Sequence, residues 1–280
     1  MESGGPDYLM AQGRRLEFLH LPAPDAGVPT LVLLHEGLGS LSMWRDLPRQ
    51  LSARTRFGLL VYSREGYGNS QVLSGPRHSS YLQHEALAVL PDVLGQLGIS
   101  DPVLVGHSDG GSIALIHAAH RPVRGVVVLA PHLFAEEMTL LGAHAVRRDY
   151  RHGVLKRLLS RYHLDPDATF YGWNDAWLSP AFRAFDIRHL LGKITAPVLA
   201  IQGRDDPHGT MIHIREIADR AANVQLLELS NCGHSPHIDQ RMTVLQAISV
   251  FCRRLHGSAA RGMDVARDAI PASLHEASRN

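Results

Sequence analysis

"LVGHSDGGS", residues 104–112, places Ser108 two residues from a glycine on either side. Gly106-His107-Ser108-Asp109-Gly110 reads G-x-S-x-G. The apolar run "PVLVGH" (102–107) leads in, and "GSIALIHAAH" (111–120) leaves with helical patterning. In a strand–turn–helix setting the serine sits on a strained turn, where side chains two residues away would collide with strand and helix backbone. Glycine answers that crowding. Such a turn lifts the Ser108 hydroxyl above the carboxyl edge of the sheet. It also aims helix N-terminal N–H groups at a developing oxyanion. The competing reading is a glycine-rich loop with a passive serine, which the strand–turn–helix context disfavours.

Working outward, short runs rich in Val, Leu and Ile recur at 30–35, 57–63, 102–107, 124–131, 197–203 and 224–230. They are apolar throughout rather than alternating, the mark of parallel strands covered on both faces. Amphipathic stretches at 42–54, 81–98, 111–120, 209–222 and 240–256 lie between them. Pro91 is expected to kink or restart the second. This alternation predicts an α/β fold with a mostly parallel central sheet and helices on both faces. "LEFLHLP" (16–22) reads as a first, antiparallel strand.

The alternation breaks between 132 and 195, where aromatics concentrate without a clear strand. That segment is expected to cap one end of the sheet; the alternative is further sheet-covering helix. The expected divisions are a core over 1–131, a helical cap over 132–195, and the rest of the core over 196–256. The tail 257–280, rich in Ala, Arg and Ser, is expected to be partly disordered.

The chain has 280 residues, enough for one large α/β domain or two modest ones. A net charge of +1 with dispersed arginines gives no nucleic-acid surface. "MESGGPDYLM" lacks the basic-then-apolar pattern of a signal peptide, and no apolar run is long enough to span a bilayer. Cys232 and Cys252 have neither disulfide-framework nor zinc spacing. A cytoplasmic protein without membrane or nucleic-acid partners is expected. His234 and His237 have a spacing that could suit a metal, but no ligand set accompanies them, so no metal is expected.

A lone serine hydroxyl is a poor nucleophile and needs a base and an orienting acid. "PVLAIQGRDDPH" places Asp205 and Asp206 just past a strand, and "LLELSNCGHSPH" places His234 after the next. All three functions then gather at carboxyl ends of parallel strands, where such sheets bind ligands.

Taken in order, "LLHEGLGSLSMW", "GYGNS", "GHSDGG", "GRDDP" and "CGHSPH" resemble the α/β-hydrolase fold superfamily over residues 15–256, in its capped form. The resemblance implies a cap inserted after strand 6 of that fold. It also implies Ser108 as nucleophile, His234 as general base and then acid, and Asp206 as the orienting acid, with Asp205 the second choice. The backbone N–H groups of Gly37 and Asp109 would form the oxyanion hole. No cofactor is implied, and the partner is a small-molecule substrate.

Two departures stand out. Glu36 occupies a place where the superfamily usually has glycine, and "SREGYG" (63–68) replaces its usual Asp-x-Arg-Gly. A Glu36–Arg64 ion pair beneath the site is the expectation, with the Glu36 side chain turned from the oxyanion. Asp109 is expected to favour the helix dipole rather than touch substrate. Glu36, His132, Trp173 and Trp177 are candidate pocket residues; the tryptophans, four apart on one helical face, could equally pack the cap onto the body. Serine at the nucleophile position implies acyl transfer from an ester, lactone, thioester, amide or activated ketone, and hydrolysis of a small ester or lactone is the expectation. Carbon–carbon bond hydrolysis of a diketone, or a ligand receptor on the same fold, are the alternatives.

Overall fold

The computed structural model describes residues 7–25 and 27–267, with side chains described to Leu255. Eight strands form one sheet: β1 (Asp7–Ala11), β2 (Arg14–Leu21), β3 (Thr30–Leu34), β4 (Gly58–Tyr62), β5 (Pro102–His107), β6 (Gly125–Leu129), β7 (Val198–Gly203) and β8 (Val224–Leu229). Their order is β1-β2-β4-β3-β5-β6-β7-β8. β1 and β2 pair antiparallel at one edge, and every pairing from β4 to β8 is parallel. The six predicted parallel strands and the antiparallel one are present, and β1 is an addition.

β3 to β7 are buried along their whole lengths. Successive residues feed opposite faces: Val103 and Val105 join one core cluster and Leu104 the other. Two cores, one per face, require strands apolar on both sides. On one face α1 (Leu47–Thr55) contributes Leu47 and Leu51. α10 (Arg241–Arg267) adds Val244, Ile248 and Phe251 to the same cluster.

The other face receives α2 (Tyr81–His84), α3 (Leu90–Gln96), α4 (Asp109–Ala118) and α8 (Ile212–Arg220). Between α2 and α3 runs a π-helical turn, Glu85–Val89. It immediately precedes Leu90-Pro91 and loosens the ladder where the proline ring would meet a carbonyl. The predicted kink is thus a widened turn. The predicted helix 42–54 divides into a 3-10 turn, Ser42–Trp44, and α1, because Arg45 takes φ 54°.

From β6 to β7 the chain runs through α5 (Glu137–Arg151), α6 (Val154–Leu159), α7 (Pro166–Leu178) and two 3-10 turns. This insertion has a small cluster of its own, with Tyr150 and Phe170 stacked at 3.8 Å. A short helix, α9 (Pro236–Asp239), precedes α10. Of the tail 257–280, the backbone of α10 extends through Arg267, and 268–280 lie outside the described residues.

Candidate active site

Ser108 stands between β5 and α4 with φ 51° and ψ −115°, a conformation costly for any residue with a side chain. The turn is held by a hydrogen bond from the Ser108 N–H to the Leu129 carbonyl at 2.9 Å. Both flanking glycines are needed. A Cβ on Gly106 would lie 2.1 Å from the Gly110 carbonyl oxygen, and one on Gly110 would lie 2.0 Å from that of Leu34.

The Ser108 hydroxyl donates to His234 Nε2 at 2.9 Å. His234 Nδ1–H donates to Asp206, 2.8 Å to Oδ2 and 3.0 Å to Oδ1. Asp206 also accepts the His208 N–H at 2.8 Å. Burial alone would raise the Asp206 carboxyl, but the hydrogen bond and charge of His234 hold it below the usual range. Asp205 turns elsewhere: its Oδ2 accepts the Cys232 N–H at 3.2 Å, tying the loops after β7 and β8 together.

A cavity of about 120 Å³ opens onto Ser108 and His234. Gly37, Asp109, Trp173 and Trp177 line it, as do His132 and Glu36. Asp109 is the first residue of α4, so its N–H belongs to the helix's unpaired opening turn. Gly37 has room for no side chain, since a Cβ there would lie 2.1 Å from Trp173 Nε1.

The expected Glu36–Arg64 ion pair does not form. The buried Arg64 guanidinium donates to backbone carbonyls instead, 2.6 Å to His35 and 2.9 Å to Glu36. Its fork spans two successive carbonyls of one loop, which leaves the Glu36 carboxylate outside its reach. That carboxylate lies over Gly39 and faces His107 Nδ1 at 3.5 Å. Burial works to raise its carboxyl, yet His107 and the neighbouring histidines hold it far below the ordinary range. The other nitrogen of His107 donates to the His234 carbonyl at 2.8 Å, so that imidazole carries the proton on Nε2.

Asp109 also does more than face a dipole. Its carboxylate accepts from the Tyr81 hydroxyl, which itself accepts the Trp177 indole N–H at 2.9 Å. The serine turn, α2 and the insertion are therefore joined by one buried chain of hydrogen bonds. Burial pushes the Asp109 carboxyl up, against the pull of Arg64 and Tyr81. His132 stacks on His234 with centroids 5.6 Å apart, and burial with its histidine neighbours holds it well below the usual histidine value. His208, His107 and Tyr81 were not singled out from the sequence. His208 alone carried a signal, following "GRDDP" directly. His237 packs against Trp44 and His107. Among the described residues no group of His, Cys, Asp or Glu is arranged to hold a metal.

Residues 31–247 match the model of the alpha/beta hydrolase family. The chain belongs to that family. The sn-1-specific diacylglycerol lipase ABHD11 of Mus musculus is 35% identical over 260 residues, covering 81% of this chain and 82% of that protein. The 2-hydroxy-6-oxononadienedioate/2-hydroxy-6-oxononatrienedioate hydrolase of Cupriavidus pinatubonensis is 28% identical, covering 83% and 90%. Among solved structures, the enol-lactonase from Burkholderia xenovorans LB400 shares the fold with a TM-score of 0.70 at 22% identity. That match covers 88% of this alpha/beta hydrolase and 99% of the lactonase.

Proposed function

We propose that this chain is a serine hydrolase of small carboxylic esters or lactones, working through an acyl-enzyme. The hydrogen-bonded line Ser108–His234–Asp206, 2.9 and 2.8 Å long at the mouth of a lined cavity, carries the reading. Ser108 Oγ attacks the substrate carbonyl carbon while His234 Nε2 takes its proton. The N–H groups of Gly37 and Asp109 hold the oxyanion, each donor being worth about 10²–10³ in kcat. His234 then returns the proton to the departing alkoxide, and the acyl group remains on Ser108. Water, deprotonated by His234, attacks the acyl-enzyme and releases the acid. Asp206 keeps the Nδ1–H tautomer and stabilises the imidazolium.

Helices of 132–195 act in this reading as a cap: Ala143 and Val146 of α5 and Trp173 and Trp177 of α7 wall the cavity. The diacylglycerol lipase and lactonase relatives support acyl-oxygen chemistry; the hydrolase of Cupriavidus pinatubonensis supports carbon–carbon cleavage as the second reading. We place the protein in the cytoplasm on its unpaired, buried cysteines; no described helix is long and apolar enough to cross a membrane.

The test is intact mass after treatment with a fluorophosphonate, with Ser108→Ala as control. One adduct on the native chain and none on the variant supports the reading. A folded protein that takes no adduct and turns over no ester overturns it in favour of a ligand receptor.

A further inference from the structure

The reaction cavity has an electrostatic and hydrogen-bonding character that bears on its substrate. No lysine or arginine lines it, while two acidic residues, Glu36 and Asp109, do. Arg64 lies behind this wall, where its two terminal nitrogens donate to the His35 and Glu36 carbonyls. A substrate carboxylate would meet two acids and no lysine or arginine in the wall to pair with, and a buried unpaired charge is strongly disfavoured.

Three lining side chains also keep a buried polar atom without a hydrogen-bond partner: Trp173 Nε1, Asp109 Oδ1 and His132 Nδ1. Such atoms are uncommon in folded proteins and call for a partner. Trp173 Nε1–H can only donate, and Oδ1 of an ionised Asp109 can only accept. The His132 imidazole is neutral, so its Nδ1 either donates or accepts. An alcohol hydroxyl is a small uncharged group that accepts from the first and donates to the second, and it suits either state of the third. The rest of the wall, including Leu38, Ala143, Val146 and Trp177, is apolar and suits a short carbon chain.

We propose that the substrate is a short, uncharged ester or lactone bearing a hydroxyl group, held by Trp173, Asp109 and His132. This rests on the serine-hydrolase reading above. It also parts this chain from the relative whose substrate is named as a dioate. Trp173 and His132 are specificity residues here, and Asp109 gains a substrate contact beyond its backbone N–H.

The experiment compares kcat/KM on matched esters by titrating released acid. Ethyl 3-hydroxybutanoate, ethyl butanoate and monoethyl succinate vary the acyl side; 2-hydroxyethyl acetate and propyl acetate vary the alcohol side. On one of the two sides the hydroxylated ester is expected to exceed its alkyl counterpart by about tenfold or more, because a site built around a hydroxyl rejects the analogue lacking it. Which pair shows the gap tells on which side the hydroxyl sits. Monoethyl succinate is expected to be the poorest of the acyl set. In Trp173→Phe, which keeps the ring but loses the N–H, the hydroxyl-to-alkyl ratio should fall towards one; His132→Phe gives a second reading of that ratio should the first variant misfold. Fluorophosphonate labelling of the same samples separates the failures. A labelled, active enzyme that prefers the succinate, or shows no hydroxyl preference on either side, overturns the inference and leaves the hydrolase reading standing. An unlabelled, inactive, folded protein overturns both.

Discussion

Gly110→Ala perturbs the turn where helix and strand backbones approach most tightly around Ser108. A Cβ there would lie 2.0 Å from the Leu34 carbonyl oxygen, 2.5 Å from its carbon and 2.8 Å from the His35 carbonyl oxygen. Ordinary contact starts at 3.4 Å, so the start of α4 and the end of β3 must part by about 1.4 Å. Every obstructing atom is backbone, so no rotamer change relieves the clash. β3 runs directly into Glu36-Gly37, and Asp109 opens α4. The two proposed oxyanion donors therefore separate, and a misplacement of about 1 Å costs on the order of 10²-fold. Overpacking of this kind also costs about 1–3 kcal/mol, or about 2–6 °C in Tm for a chain of this size. The assay is kcat and KM on a chromogenic ester beside a thermal melt, with Gly95→Ala as the control. Gly95 lies in α3 with nothing within 4 Å of an added Cβ, so that variant should gain about 0.5–1 kcal/mol and keep its kcat. A Gly110→Ala protein with native kcat and native Tm would refute the reasoning.

Asp206→Asn should keep the fold but lower kcat by about 10³–10⁴, because an amide no longer holds the Nδ1–H tautomer of His234; a loss under tenfold would remove Asp206 from the mechanism. Glu85→Gln should raise Tm at pH 8 and lose that advantage near pH 4. Burial pushes the Glu85 carboxyl up, against the pull of Arg64 and Arg77, so the native protein loses stability as pH rises from the ordinary glutamate value through the folded one. A variant less stable than native at pH 8 contradicts this. Glu36→Gln should cost about 0.5–1 kcal/mol at pH 7, the carboxylate being a quarter exposed, and should lower kcat several-fold through His107. Its folded carboxyl is depressed, so this stability is present above the ordinary glutamate value and fades as pH falls below it. Melts that differ equally at pH 7 and pH 3 would exclude that role for Glu36.

The parallel strands were legible because burial on both faces demands apolar residues at every position, and a run such as "TLVLL" has no other reading at that length. β1, "DYLMA", was missed for the opposite reason: most of it is exposed, so its sequence carries neither a run nor an alternation. The serine turn was legible because its glycines answer a steric demand local to five residues. Asp206 and Asp205 were harder to separate. Both follow β7, and what distinguishes them is a carboxylate direction set by the loop after β8. The Glu36–Arg64 pairing failed on similar grounds. Opposite charges at two departures from the family pattern suggest a salt bridge, but Arg64 sits where two backbone carbonyls converge, and its planar fork fits them. The Tyr81–Asp109–Trp177 chain joins residues 28 and 96 positions apart, a closeness no local pattern encodes.

Glu36 is the feature that most needs a physical account, since a carboxylate beside the proposed oxyanion hole would oppose the charge that develops there. The geometry supplies one. The side chain lies over Gly39, where a Cβ would fall 2.3 Å from Oε2, so that glycine makes the space that turns the acid aside. It then faces His107, the residue immediately before Ser108. His107 must carry a proton on Nε2 because the His234 carbonyl can only accept. The imidazole touches the three loops that carry the proposed oxyanion donor, Ser108 and His234. An acid that would be a liability alone thus becomes one end of a strut, and the strut spans the groups on whose relative positions the proposed mechanism depends.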